Sequence, residues 1–358
     1  MEKTIQNTKA VTTVTTPSIT MNKKAFDELL LRKMYIVPSF EIHQGPAGFM
    51  DYGPPACTLK NNILNIWRSH FVYEENMLEM ECTNLTPSNV LEASGHVERF
   101  TDFMVRDIKT GESYRADRLL EDTIEALIVR DGDKMTQIER DAHLIICRSA
   151  DSYNVDELHD MLIKYNIKSP SLNKDKNSIG NELTKPFPFN LMFKTTIGPE
   201  GTSIGYLRPE TAQGLFVNFK RLLDYNQQKM PFAGAQIGTG FRNEISPRGG
   251  LLRVREFCMA EIEHFVNPEE KHSHIRFKNI KNVVVTLFTA SSQLSTGEMI
   301  STTIGDAVAD GIILNESIAY FMGRTQLFFE KIGIDPSRMR LRQHMSTEMA
   351  HYAADCWD

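Results

Sequence analysis

Phe241-Arg242-Asn243-Glu244, the turn-rich Ser246-Pro247-Arg248-Gly249-Gly250, and then Arg253-Val254-Arg255-Glu256-Phe257-Cys258-Met259-Ala260-Glu261 form the stretch that decides how this chain is read. A proline and two glycines between two alternating runs predict an antiparallel hairpin, part of a strand pair spanning Ala233 to Phe265. Side chains two apart on a strand share a face, so Arg242 is expected to point with Glu244, and Arg253 with Phe257 and Glu261. The hairpin then shows two guanidinium groups, two carboxylates and an aromatic ring over one surface. A guanidinium holds a phosphate through two parallel charge-assisted hydrogen bonds, a ring stacks on a base, and a carboxylate accepts from an amine. A nucleotide joined to an activated carboxylate needs those groups. Taken one at a time, the same residues suit a surface hairpin with weak cross-strand ion pairs; their joint spacing favours a site.

Bulk properties narrow the rest. With 358 residues and 41% hydrophobic content, the chain can bury one large domain with insertions or two unequal ones. No apolar run approaches the roughly 18 to 20 residues that cross a bilayer, so no membrane partner is expected. The net charge of −6 gives no global pull toward nucleic acid, and RNA would have to meet a local basic surface. Cys57, Cys82, Cys147, Cys258 and Cys356 contain no CxxC pair, which fits reduced intracellular thiols at small core positions. Residues 1–20, rich in Thr and without Arg, lack both a signal core and presequence arginines, and read as a disordered tail. His43-Gln44-Gly45-Pro46-Ala47-Gly48 does not have dinucleotide-fingerprint spacing. His344, His351 and Cys356 offer no compact ligand pair, so no metal site is expected there.

The organisation follows from periodicity and breakers. A helix capped by Ser18 or Thr20 should carry Phe26, Leu29 and Leu30 on one face, before a strand over Tyr35–Ile42. Pro54-Pro55 opens a helix to about Tyr73, with Leu59, Ile63, Ile66, Trp67 and Phe71 in one stripe. Leu78, Met80 and Cys82 alternate as a strand that Pro87 ends. Asp102 to Ala116 reads as a hairpin turning at Lys109-Thr110-Gly111. Residues 117 to 185 read as an insertion, helical and charged to about Asn166 and then a polar loop from Ser169 to Lys185. Phe187–Phe193 returns to strand, and a helix buries Leu215, Phe216, Phe219, Leu222 and Leu223. After a strand at Val283–Thr289, residues 290–358 are expected to be a further, mostly helical insertion.

The hairpin resembles motif 2 of class II aminoacyl-tRNA synthetases, Phe-Arg-x-Glu, a loop, then Arg-x-x-x-Phe-x-x-x-Glu, matched at Phe241, Arg242, Glu244, Arg253, Phe257 and Glu261. Leu59-Lys60-Asn61-Asn62-Ile63, Thr86-Pro87, Ser94-Gly95-His96-Val97 and Gly205-Tyr206-Leu207-Arg208-Pro209-Glu210-Thr211-Ala212-Gln213-Gly214 carry the resemblance from about Ala25 to Asp358, toward the dimeric glycyl-tRNA synthetases of eukaryotes and archaea. It implies an α+β catalytic domain over 21–358, a mostly antiparallel sheet flanked by helices with helical insertions, and use of ATP, Mg²⁺ and glycine. An ATP site of Arg242, Asn243, Glu244, Arg253, Val254 and Phe257 is implied. There Arg242 would be catalytic on the α-phosphate, Glu244 would read the adenine amine, Phe257 would stack and Arg253 would clamp the γ-phosphate. Glu210 and Glu261 would hold the glycine ammonium, and Arg248 would meet the acceptor end of tRNA(Gly). The segment 54–87 corresponds to motif 1 and implies a homodimer; a cytoplasmic location is also implied. Family members continue into motif 3 and an anticodon-binding domain, and without them the chain is expected to be inactive by itself. The rival reading is a synthetase-like dimeric binding protein without catalysis, for which the five matched polar and aromatic residues would have no chemical need. Another amino-acid ligase on the same fold is a third.

Overall fold

The structure, a computed structural model, describes residues 22–170, 180–247, 249–350 and 352–358. The expected tail, the capping candidates Ser18 and Thr20, most of the polar loop after Ser169, Arg248 and His351 lie outside the described residues. Asn22 instead caps the first helix, Lys23–Arg32, its side chain accepting from the Ala25 N–H at 3.2 Å.

At the centre stands the hairpin, with strands Phe232–Phe241 and Glu256–Phe265 antiparallel over their whole length and Gln236 opposite Glu261. Strand alternation gives it two chemically different faces. Ala233 and Ala235 on one strand, with Ile262 on the other, pack on Trp67, Phe71, Val72, Met77 and Phe328. Burial of large side chains of this kind is worth about 1.5–3 kcal/mol each and anchors the sheet. The opposite face carries Gly234, Gln236, Gly238 and Gly240 across from Glu263, Glu261, Met259 and Phe257. A methyl at Gly238 would lie 2.0 Å from the Arg208 guanidinium, so that strand must be bare there for Arg208 to cross it.

The helix from Pro54 runs α-helically to Trp67 and continues as a π-helical turn, Arg68–Tyr73, reaching the expected end. Its stripe is only partly covered, because Leu59 stays 54% exposed while Trp67 and Phe71 are buried. Phe26 and Leu29 of the first helix are likewise exposed. Phe26 and Leu59 border an apolar groove of about 1830 Å³ beside Ile63, Trp67, Ile262 and Phe328.

Several expected elements are shorter or differently made. The strand expected over Tyr35–Ile42 is Ile36–Pro38, followed by a 3₁₀ turn Glu41–His43, because Phe40 and Gln44 take left-handed backbone angles. Leu78–Glu79 is all that pairs of the 78–82 run, parallel to the hairpin. The helix near Leu215 is two short helices, Ala212–Val217 and Phe219–Tyr225, and Phe216 is exposed rather than buried. Residues 290–358 are not mostly helical. Ile300–Thr303 and Leu341–Arg342 flank Val284–Phe288 in a three-stranded sheet against the helix Glu316–Lys331. Among the described residues the strands form five small sheets in place of a single one, antiparallel except for two short pairings. The cysteines are free, but Cys57 is exposed and the other four are half-buried, so none is a core residue.

The 102–116 hairpin forms as expected, Thr101–Arg106 with Ser113–Arg115, and its turn is held by the Lys109 and Thr110 N–H groups donating to Asp107. The helices Ala116–Asp131, Gln137–Ser149 and Val155–Lys164 follow and enclose a core of their own around Leu120, Ile124 and Leu158.

Candidate active site

The polar face of the hairpin is closed on one side by Arg208-Pro209-Glu210-Thr211. This loop follows the strand Ser203–Leu207 and is tied to the hairpin by the Phe241 N–H, which donates to the Arg208 carbonyl at 2.9 Å. Arg208 is buried and donates to the carbonyls of Thr239 and Cys82 and to Gln236 Oε1, at 2.9 to 3.0 Å. The fully buried Gln236 returns a hydrogen bond to the Thr211 carbonyl. Every polar atom spent on this scaffold fixes where Glu210 and Thr211 stand.

Two carboxylates meet there. Glu261 accepts from the N–H and hydroxyl of Thr211. Glu210 accepts from Gln213 Nε2 at 2.6 Å and lies 3.1 Å from His96 Nε2. Burial raises the pKa of both; for Glu210 the hydrogen bonds from His96 and Gln213 outweigh it and leave the group below the usual range, whereas Glu261 stays above. Next to them Glu263, on the same face of the strand, is pushed up to about 7 by burial and by repulsion from Glu261 and Glu210.

Arg242, Glu244, Arg253, Val254 and Phe257 line one cleft of about 520 Å³ with Phe100, Asp102, Arg115 and Leu191. The Arg242 guanidinium is held between two rings, 5.3 Å from the Phe100 centroid and 5.4 Å from that of Phe257. Its Nε reaches toward the Pro209 carbonyl at 3.4 Å, which joins this cleft to the carboxylate pair. Arg253 stands 3.9 Å from Glu244, and Glu244 Oε2 is a buried oxygen without a hydrogen bond. Burial raises Glu244 despite the arginine. An acceptor enclosed in this way is costly unless a donor arrives from outside.

The expected convergence is there, but not by strand parity. The strand ends at Phe241, and the Glu244 N–H donates to the Arg242 carbonyl at 2.8 Å, so Arg242 to Glu244 turn instead of alternating. Asn243 is placed apart; its N–H donates to the Leu191 carbonyl at 2.7 Å and it does not line the cleft. Arg255 locks the turn, donating to the Glu244 carbonyl, while its own N–H donates to the Gly48 carbonyl. The Gly45–Gly48 stretch therefore supports the hairpin loop, and Gly48, at φ +83°, leaves room for Pro247.

Sequence reading missed Asp102 and Arg115. Asp102 faces Arg115 Nη1 at 2.8 Å, close enough for an ion pair though the N–H is not directed at the oxygen, and Arg115 also holds Asp117. Their signal was absent because they lie on the other hairpin, far from the motif in sequence. His96, Thr211 and Gln213 did have a signal, since they sit in quoted motif segments beside Glu210. Among the described residues no group of three or more His, Cys, Asp or Glu side chains could hold a metal ion, and no helix is long and apolar enough to cross a membrane.

Residues 196–303 match the family model "tRNA synthetase class II core domain (G, H, P, S and T)". Glycine–tRNA ligases are similar over nearly the whole chain. That of Drosophila melanogaster is 52% identical over 96% of this chain and 44% of its own length, and that of Caenorhabditis elegans 50% over 93% and 43%. The glycine–tRNA ligase of Methanocaldococcus jannaschii is 43% identical over 92% of this chain and 53% of its own length. The chain thus spans about half the length of the curated relatives it matches. Residues 196–303 thus match a class II tRNA synthetase core domain, and the chain is a homologue of the glycine–tRNA ligases.

Proposed function

We propose that the polar face of the hairpin binds ATP and glycine, and that the whole protein joins glycine to tRNA(Gly) through glycyl-adenylate. The observation that carries this is the meeting of Arg242, Glu244, Arg253 and Phe257 around one cleft, with Arg242 reaching the carbonyl of Pro209, the residue before Glu210. A glycine carboxylate oxygen attacks the α-phosphorus, the bond to pyrophosphate breaks, and the terminal ribose hydroxyl of the tRNA then takes the glycyl group as AMP leaves. No side chain acts as nucleophile; positioning and charge complementarity supply the acceleration.

Arg242, clamped between Phe100 and Phe257, offers a pre-set fork to the α-phosphate. The unpartnered oxygen of Glu244 accepts from the adenine amine, and Phe257 stacks on the ring. Arg253 moves its charge from Glu244 to the γ-phosphate. Mg²⁺ arrives with ATP as part of the substrate, held mainly by phosphates and water. Glu210 and Glu261 neutralise the ammonium.

A second cleft of about 900 Å³ adjoins the first, shares Arg115 and Arg253 with it, and is edged by Arg118, Arg130 and Lys168. It suits the acceptor end of the tRNA. The exposed Leu59 and the apolar groove around it suit a second copy of the chain, which makes the protein a homodimer. The free thiols fit a reducing compartment, the cytoplasm.

The test is ATP–pyrophosphate exchange by the whole protein. Exchange should depend on glycine and not on alanine or serine. Exchange driven equally by alanine would contradict the amino-acid assignment, and its absence with every amino acid would favour a binding protein.

A further inference from the structure

Glu263 is the one carboxyl on this face that the mechanism leaves without a task. It sits two residues beyond Glu261 on the same strand, opposite Gly234, over which the side chains of Leu215 and Leu222 pack. The ionisable groups acting on it are Glu261 on its own strand and Glu210 from the facing loop, with His96 behind Glu210 and Arg208 behind Glu261. Its neighbours have donors: Thr211 for Glu261, His96 and Gln213 for Glu210. Glu263 has none among the described residues. Beside the cluster Gln213, 91% buried, gives its amide N–H to Glu210 while its Oε1 has no hydrogen bond. The carboxylates of Glu210 and Glu261 and the stranded amide oxygen of Gln213 are acceptors, and a cluster rich in acceptors calls for a ligand rich in donors.

We propose that Glu263 is a positioning residue for the amino-acid site, carrying a proton in the empty pocket and losing it to solvent when an ammonium-bearing substrate enters. The inference rests on the amino-acid site proposed above. The balance is simple. The ammonium comes with its own three protons, the Glu263 O–H bond breaks, its proton goes to water, and the new carboxylate offsets the incoming positive charge. The proton belongs on Glu263 because it is the member with no donor to favour its charged form, and burial beside Glu261 and Glu210 pushes its pKa up to about 7. A pocket that keeps its net charge on loading selects a cation over a neutral isostere, since only a cation can make the proton leave.

Linkage fixes the sign. A ligand that binds the ionised form gains affinity as pH rises through the free group's pKa and levels off above it. Free glycine does not titrate between pH 6 and 8, so the slope belongs to the protein. With one proton released, glycine affinity should rise about tenfold from pH 6 to pH 8. In Glu263→Gln, which keeps volume and polarity, it should change less than about twofold across that range. Calorimetric titration of glycine into the chain, in two buffers of different ionisation heat, reads both affinity and released protons. Carbon-13 NMR of the Glu263 carboxyl in the free chain should give a midpoint near 7 that moves down with saturating glycine. A free-chain midpoint near that of an ordinary glutamate overturns the inference. So does a pH slope that survives in Glu263→Gln, which would assign it to His96. Glycine binding equally well at pH 6 and 8 overturns it and leaves the amino-acid site standing, whereas no glycine binding at any pH removes that site and the inference with it.

Discussion

The strand Glu256–Phe265 has two faces that differ in almost everything. Phe257, Glu261 and Glu263 stand on the face across from Gly240, Gln236 and Gly234, and Phe257 lines the cleft of Arg242, Arg253 and Glu244. Ala260 and Ile262 look the other way, into a groove lined by Leu59, Ile63, Trp67 and Phe328. The groove is the larger cavity, and size alone would name it the ligand site. Chemistry decides otherwise. A mostly carbon surface suits a protein surface, whereas buried unpaired acceptors at Glu244 and Gln213 suit a small polar ligand. Period-two alternation lets one ten-residue strand serve both purposes, and a one-residue slip would exchange them.

The largest expected effect falls on the polar face. Arg242→Ala in the whole protein should lower glycine-dependent exchange at least 100-fold, about 3 kcal/mol of transition-state stabilisation, with an unchanged circular dichroism spectrum. Activity within a few-fold of the parent would remove Arg242 from the chemistry. Glu261→Gln should come next. It keeps the volume and loses a charge, so KM for glycine should rise about 10- to 100-fold while that for ATP changes little. An equal rise in both would place Glu261 in the scaffold with Gln236.

Glu263→Gln sharpens the comparison through stability. The carboxyl's folded pKa of about 7 lies above its unfolded value near 4.5, so the folded chain holds the proton more tightly. Stability is therefore lost as pH rises through that window, and the loss is complete above about 7. The amide variant escapes this, and denaturant melts should find it about 1–3 kcal/mol more stable at pH 8 with little difference at pH 4.5. The reverse pH trend would mean that the Glu263 carboxylate is stabilised in the fold. The smallest effect is expected on the apolar face, where Leu59→Asp should weaken self-association by about 1–2 kcal/mol, roughly tenfold in the dimer dissociation constant. Sedimentation equilibrium checks this, and a parent chain that is monomeric at micromolar concentration would break the apolar half of the account.

How much of this was legible follows from distance along the chain. The hairpin was readable because Phe257 and Glu261 sit at strand spacing behind a Pro-Gly-Gly turn; Arg253 precedes the strand, after a 3₁₀ turn, and lines the cleft with Phe257. Glu244 was expected to share a face with Arg242, yet the strand stops at Phe241 and a tight turn brings the two together. Parity gave the right neighbours for the wrong reason. Gly234, Gly238 and Gly240 repeat at period two across from the functional side chains, a signal that was present and unused. Asp102, Arg115 and Leu191 reach the cleft only through tertiary packing, which no local pattern encodes. The strands Ile300–Thr303 and Leu341–Arg342 were missed for the same reason, since such short runs pair because Val284–Phe288 offers edges on both sides.

The central claim is that ligands enter on the polar face of this strand and not on the apolar one, and methyl NMR of the unmodified chain tests it most directly. Leu191 and Val254 report from the cleft, Leu59, Ile63 and Ile262 from the groove. Adding ATP with glycine should shift the Leu191 and Val254 methyl signals and leave those of Leu59, Ile63 and Ile262 in place. Shifts confined to Leu59, Ile63 and Ile262 would contradict the account.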